Sequence, residues 1–191
     1  VIRVEIDRAT GEISVYDNGG IPVVIHAEHD MYVPTMLFAE LKAGSNFDDS
    51  EDRDWVGTNG VGASLVNIFS TSFRVETCDG IKQFRQDFSN NNHERKDPKV
   101  RDGDKPHTKI TFIPDYERLG CTLDDDNYSK IVKRIVDVAA CNPNIKVYVN
   151  GERIQVRSFK DYIELYTTEY EFEELASGWK FGVAHSDDGF Q

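Results

Sequence analysis

The sequence predicts an α+β chain, built mainly from antiparallel hairpins with helical segments between them. Short runs alternate apolar and polar residues and are joined by the turn signals Ala9-Thr10-Gly11, Asp79-Gly80 and Asn150-Gly151. Other stretches, above all Ala63–Phe69 and the one that begins at Asp124, carry apolar residues at helical spacing instead. No parallel strand-helix-strand pattern surrounds the glycines at 57–62, which argues against a dinucleotide fold.

Taken in order, Val1–Asp7 and Glu12–Tyr16 read as a hairpin, and the second strand runs into Asp17-Asn18-Gly19-Gly20-Ile21-Pro22. Tyr32-Val33-Pro34 opens a short helix through Leu41, with proline in its first turn and Met36, Leu37 and Leu41 expected on the core side. Lys42–Val56 shows no periodicity and carries Asp48, Asp49, Glu51, Asp52 and Asp54. These acids lack the alternation and closing glutamate of a calcium loop, so the expectation is a solvated acidic loop or a lid. Ser72–Cys78 and Gln83–Phe88 form a second hairpin, Ser89–Pro106 is expected to be an exposed loop, and His107–Pro114 is a further strand. Neither His93 nor His107 has a second ligand at metal spacing. Asp124–Asp126 caps a helix carrying Ile131, Val132, Ile135, Val136, Val138 and Ala139. A hairpin over Ile145–Val156, an amphipathic segment from Phe159 to Tyr166, and a strand at Trp179–Ala184 that begins something new complete the chain. Val1 already lies within a strand and nothing closes the last strand, so both ends read as cut.

With 191 residues, 39% of them hydrophobic and 29% charged, the chain can bury a core of one domain or one and a half. No apolar run is long enough for a membrane span and no leader is visible, so an intracellular location, cytoplasm or nucleus according to source, is expected. Cys78, Cys121 and Cys141 form no C-x-x-C pair and are expected to be buried thiols. A net charge of −12 argues against gripping DNA with the general surface, because phosphate backbones are held by clustered Lys and Arg. It does not argue against a nucleotide, which backbone N–H groups can hold locally.

The stretch Gly57-Thr58-Asn59-Gly60-Val61-Gly62-Ala63-Ser64 supplies such groups. Glycines let the backbone approach a ligand closely, and the first N–H groups of the helix that follows have no intrahelical partner. A polyphosphate is the expected ligand. The absence of Lys-Ser or Lys-Thr after the last glycine argues against a P-loop.

These features, in this order, resemble the ATP-binding domain of type II DNA topoisomerases, in the superfamily of gyrase B, the Hsp90 chaperones, MutL and histidine kinases. The resemblance rests on Tyr32-Val33-Pro34, on Ala43-Gly44-Ser45-Asn46-Phe47-Asp48-Asp49, on the glycine stretch through Ser64, on Asn67-Ile68-Phe69-Ser70 and on Ile110-Thr111-Phe112-Ile113-Pro114-Asp115. This wording leans toward eukaryotic, viral or phage enzymes. The resemblance implies a two-layer sandwich, a mostly antiparallel mixed sheet with helices on one face, of the Bergerat ATP-binding type. It implies an ATP-binding domain over 1–166 and the beginning of a transducer domain over 167–191.

Carried over by position, it assigns Asp17 to the adenine amino group and Gly19, Gly20, Ile21 and Pro22 to the base pocket. Ser45 and Asn46 reach the ribose and phosphates, while Gly57, Thr58, Asn59, Gly60, Val61, Gly62, Ala63 and Ser64 wrap the triphosphate. Thr108 backs the adenine contact. The implied cofactors are ATP and Mg2+; the implied partners are DNA, through other domains, and a second topoisomerase subunit, with no membrane. Gly19 and Gly20 are adjacent here, whereas the family has a residue between them. The family's catalytic glutamate and magnesium-binding asparagine belong to a helix expected upstream of Val1, so none of these residues is assigned as catalytic or metal-binding. Its γ-phosphate lysine is expected downstream of Gln191. The expectation is therefore a fragment that hydrolyses ATP poorly by itself. The rival expectations are a chaperone or mismatch-repair ATPase of the superfamily and a non-catalytic interaction domain.

Overall fold

The computed structural model describes residues 1–43 and 59–186. The chain divides into two compact units, Ile2–Asp124 and Asp125–Gln191 with Val1. The fold class is α+β, as predicted.

In the first unit, β1 (Ile2–Asp7) and β2 (Glu12–Asp17) are the predicted hairpin, with Val4, Ile6 and Ile13 buried. Its turn is closed by Asp7, whose Oδ1 accepts from the Ala9 and Thr10 N–H groups at 2.8 and 3.3 Å. Those bonds hold the Asp7 carboxyl below its ordinary range. A small hairpin not foreseen from the sequence, β3 (Ile25–His26) with β4 (Met31–Tyr32), leads into α1 (Val33–Ala39). Then come α2 (Gly62–Ile68), β5 (Ser70–Cys78), β6 (Lys82–Ser89), β7 (Glu94–Arg95), β8 (Lys99–Asp102) and β9 (His107–Pro114). The sheet of this unit runs β1-β2-β9-β5-β6, and both β7 and β8 pair with β6. All of these pairings are antiparallel.

The core follows from strand alternation. Phe73 and Val75 on β5 and Phe84 and Phe88 on β6 turn to one face, where Val23 and Ala39 join them and Tyr32, Phe38, Ile110 and Phe112 pack around. Phe73 lies opposite both Phe88 and Phe112 in register, with ring centroids 6.0 and 6.3 Å apart. Burying each such ring contributes about 1.5–3 kcal/mol. Gln86 shares this face because its amide is satisfied: it accepts from the Thr35 hydroxyl at 2.7 Å and donates to the Lys96 carbonyl at 2.9 Å.

Four expectations are corrected here. Of the thiols expected to be buried, Cys78 is, whereas Cys121 and Cys141 are exposed. Leu41 does not face the core: α1 ends at Ala39 and Glu40 is extended, so Leu41 leaves the helical stripe and is 55% exposed. The polar stretch 89–106 is exposed as expected but holds β7 and β8, because the edge of β6 offers backbone partners that need no apolar side chains. In α2 the outward residues are Leu65 and Val66, 40% and 38% exposed, whereas Ser64 and Asn67 are fully buried. The helix forms as predicted, with its polar side turned in.

One turn holds the ends of both helices. Asn90, Asn91 and Asn92 all have positive φ, a conformation asparagine tolerates better than most residues. The Asn91 amide donates to the Ile68 carbonyl at 3.1 Å and to Asp115 at 3.0 Å, and the Asn92 amide donates to the Ala39 carbonyl at 2.9 Å. The last carbonyls of α1 and α2 thereby find donors.

In the second unit, α3 (Asp125–Cys141) starts with two acids, as its dipole favours, and buries Ile135, Ala139 and Ala140. Val138, which belongs to the predicted apolar set of this helix, is 36% exposed. β10 (Val147–Val149) and β11 (Glu152–Arg153) form the predicted hairpin, with Asn150 and Gly151 both at positive φ. α4 (Phe159–Ile163) is capped by Ser158, which accepts from the Asp161 N–H at 3.1 Å. The Tyr162 hydroxyl donates to Asp137 at 2.7 Å and so ties α4 to α3. The strand at Trp179–Ala184 does not stand alone: β13 (Lys180–Val183) pairs with β12 (Glu171–Glu174), whose acidic sequence hid its alternation. No helix among the described residues is long and apolar enough to cross a membrane.

Candidate functional site

Antiparallel register aligns three polar residues at one end of the first unit's sheet. Asp17 at the end of β2 pairs with Thr108 on β9, which pairs with Thr77 on β5. Thr77 and Thr108 are buried, and Asp17 is half-buried. Asp17 Oδ1 accepts from the Gly19 N–H at 2.7 Å, an Asx turn that bends the chain across the strand ends. The Thr108 hydroxyl donates to the Gly19 carbonyl at 2.8 Å, and the Thr77 hydroxyl donates to the His107 carbonyl at 3.0 Å. Their oxygens lie 3.0 Å apart. Two hydroxyl protons thus face three contacts, so these three bonds cannot all be made at once.

The loop after Asp17 is stitched to the β5–β6 turn. The Ile21 N–H donates to Thr77 Oγ1 at 3.0 Å, and the Val23 N–H donates to Asp79 Oδ2 at 3.0 Å. Asp79 Oδ1 takes the Lys82 and Ile81 N–H groups at 2.7 and 2.9 Å. The bonds from Lys82, Val23 and Ile81 hold the Asp79 carboxyl below its ordinary 3.8. Gly20 lies so close to the Cys78–Asp79 backbone that a Cβ would run into the Cys78 carbonyl oxygen and come within 2.9 Å of Asp79 Cα. Glycine is required at this position by contact with protein backbone.

The start of α2 is different in kind. Its N-cap, Val61, offers no side-chain acceptor, and the first turn carries no acid. The Leu65 N–H is taken by the Val61 carbonyl at 2.9 Å. Among the described residues no acceptor is recorded for the N–H groups of Gly62, Ala63 and Ser64. A Cβ built on Gly62 meets no atom of the described residues within 4 Å. Asn67, one turn on, is fully buried and donates to the Phe38 carbonyl at 2.9 Å, which fastens α2 to α1.

The structure therefore joins Asp17, Gly19, Gly20, Ile21 and Thr108 into one hydrogen-bonded or close-packed cluster. Pro22 follows Ile21 and is exposed. Asn59, Gly60, Val61, Gly62, Ala63 and Ser64 gather at the start of α2, and no recorded contact links them to the Asp17 cluster. Ser45, Asn46, Gly57 and Thr58, and most of the expected lid at 42–56, lie outside the described residues. Two surface clefts of about 300 and 360 Å3 occur elsewhere, one beside Phe84 and Arg101 and one beside Gly11 and Tyr116. Thr77 and Asp79 escaped the sequence reading. The signal available for Thr77 was a threonine at an inward position of an otherwise apolar strand face.

No family model matches the chain. It is 41% identical over 207 residues to DNA topoisomerase 2 of Bombyx mori, covering 100% of this chain and 13% of that protein. To DNA topoisomerase 2 of Acanthamoeba polyphaga mimivirus it is 42% identical over 196 residues, covering 97% of this chain and 15% of that protein. The chain thus spans about one eighth of the length of such relatives. Among solved structures, the ATPase region of Saccharomyces cerevisiae topoisomerase II superposes with a TM-score of 0.92 at 36% identity, covering 97% of this chain and 52% of that one. The ATPase and transducer domains of DNA topoisomerase II from Balamuthia mandrillaris superpose with a TM-score of 0.91 at 41% identity, covering 98% of this chain and 50% of that one. Sequence likeness along the chain's length and the same antiparallel scaffold agree: the chain belongs to the type II DNA topoisomerase family, within its N-terminal ATPase region.

Proposed function

We propose that the chain binds ATP, and that in the whole protein ATP binding and hydrolysis drive closure of a dimer gate and passage of one DNA duplex through another. The observation that carries this is the register of Asp17, Thr108 and Thr77, which puts one carboxylate at the end of the sheet and fixes the loop beside it with hydroxyl groups. The donor set suits the ligand. Among the described residues Asp17 Oδ2 has no donor, and a carboxylate accepts from the exocyclic amine of adenine. The open backbone at Gly62, Ala63 and Ser64 supplies N–H donors of the kind that favour a polyphosphate.

In this proposal Asp17 reads the base, Thr108 and Thr77 hold Gly19–Ile21 as the pocket wall, and Asn59–Ser64 hold phosphate. Pro22 shapes the pocket edge. Ser45, Asn46, Gly57 and Thr58 join the phosphate and ribose contacts on resemblance alone. Mg2+ accompanies the triphosphate and neutralises part of its charge. Residues 1–166 form the ATP-binding domain and 167–191 begin the transducer domain. DNA is engaged through other parts of the protein, a second subunit completes the gate, and the enzyme works inside the cell.

Titration of the 191-residue chain with a non-hydrolysable ATP analogue tests the binding step, with GTP as the comparison. Saturable binding that prefers adenine and is lost in Asp17→Ala supports the assignment; equal binding of both nucleotides removes Asp17 from the base. ATP-dependent relaxation of supercoiled DNA by the whole protein tests the rest, and relaxation without ATP overturns it.

A further inference from the structure

We infer that the turn between β3 and β4 is a site for a divalent transition-metal ion of the zinc class, held by His26, Glu28 and His29. Their potential ligand atoms all lie within 4.8 Å of one another. The two imidazole rings stand 4.9 Å apart between centroids, tilted by 40°. The turn that carries them is fixed at its base: Ile25 and His26 pair with Tyr32 and Met31, the Asp30 N–H donates to the His26 carbonyl at 3.0 Å, and Asp30 takes a positive φ. The Val33 N–H, donating to the Val24 carbonyl at 2.9 Å, ties the hairpin base to the start of α1.

Around an ion with metal–nitrogen and metal–oxygen distances of about 2.0–2.2 Å, tetrahedral ligand atoms sit roughly 3.3–3.5 Å from each other. The three side chains therefore need to close in by no more than about 1.5 Å. Glu28 and His29 are exposed and His26 is half-buried, so side-chain rotation supplies this without moving the backbone ladder. Among the described residues, the one hydrogen bond found on these side chains is the Glu28 backbone N–H to His26 Nδ1, at 3.3 Å, long enough to be given up cheaply.

The donor set selects the ion. Two imidazole nitrogens and one carboxylate suit zinc, copper, nickel or iron(II), whereas magnesium and calcium favour all-oxygen shells. The site is therefore chemically separate from any Mg2+ that travels with nucleotide. Three protein ligands leave a position for water, and the bound ion would staple the hairpin that precedes α1.

Titration of the chain with Co2+, read from its visible absorption, then with Zn2+ in competition and with Mg2+ in excess, tests this. One equivalent of Co2+ should bind and be displaced by Zn2+ but not by Mg2+. His26→Ala and His29→Ala should each weaken binding at least about tenfold, the cost that loss even of an outer-shell partner reaches. The double variant should lose the visible band while its metal-free thermal unfolding matches the parent, which separates ligand loss from misfolding. Unchanged Co2+ affinity in the double variant, an equal loss in a His93→Ala, His107→Ala, His185→Ala triple variant, or no saturable binding below about 1 mM overturns the site.

Discussion

The end of β2 and the start of α2 treat polar groups in opposite ways. Around Asp17 nearly every donor and acceptor is taken by protein: Gly19 by Asp17 and Thr108, Ile21 by Thr77, Val23 by Asp79. At Gly62–Ser64, among the described residues, no protein acceptor is found and no atom comes within 4 Å of a Cβ placed on Gly62. A surface that must tell one base from another needs rigid side chains, while one that must hold spread-out negative charge needs only donors. Under the proposed nucleotide-binding role, the first is stiffened before a ligand arrives and the second is left for the ligand to complete.

The sharpest way to break this contrast is Gly62→Val. The fold should tolerate it, because the new Cβ meets no atom of the described residues within 4 Å. Affinity for an ATP analogue should fall by about 100-fold or more, on the order of 3 kcal/mol, in calorimetric titration. Normal binding would remove phosphate from the start of α2. Thr77→Val has the opposite signature. It keeps the volume but strands the Ile21 N–H, so thermal unfolding should move down by about 4–8 °C, for a loss of about 2 kcal/mol. A loop held as tightly without this hydroxyl would show that the pocket wall does not depend on it.

Acid should act on the same stitched loop. The Asp79 carboxyl is lowered in the folded protein, so its contribution to stability is complete above the ordinary value of 3.8 and is lost as pH falls through the lower folded value. Unfolding followed by circular dichroism between pH 6 and pH 2 should therefore show a smaller acid-induced loss in Asp79→Asn than in the parent, with the two curves parallel above about pH 5. Curves that stay parallel through pH 3 would deny Asp79 its anchoring role. The smallest effect is expected on the outer face of α2: Leu65→Ala, at a residue 40% exposed, should change stability by about 0.5 kcal/mol or less in urea unfolding.

What the sequence revealed and what it hid divide along physical lines. Strands with strict alternation, such as His107–Pro114, and turns with demanding chemistry, such as Asn150-Gly151, were legible to the residue. β7 and β8 were not, because edge strands held by backbone bonds need no apolar code. The buried face of α2 was misleading for a related reason: the Ser64 hydroxyl and the Asn67 amide nitrogen sit inside on bonds to the Val61 and Phe38 carbonyls, which no periodicity rule counts, while Asn67 Oδ1 is buried with no partner among the described residues. Asp17 and Thr108 could be named as partners from resemblance, but Thr77 is brought beside them only by strand order. The cluster at His26, Glu28 and His29 was passed over because the hairpin that folds it together was not foreseen.

The three consecutive asparagines at 90–92 carry a consequence for the ageing of the molecule. Deamidation of Asn91 or Asn92 would replace a donor with a carboxylate oxygen and set it against the Ile68 or Ala39 carbonyl that it now satisfies. A single slow chemical event in one turn would loosen two helices at once, including the one that presents Gly62, and so erode affinity without any change to a residue that meets the ligand.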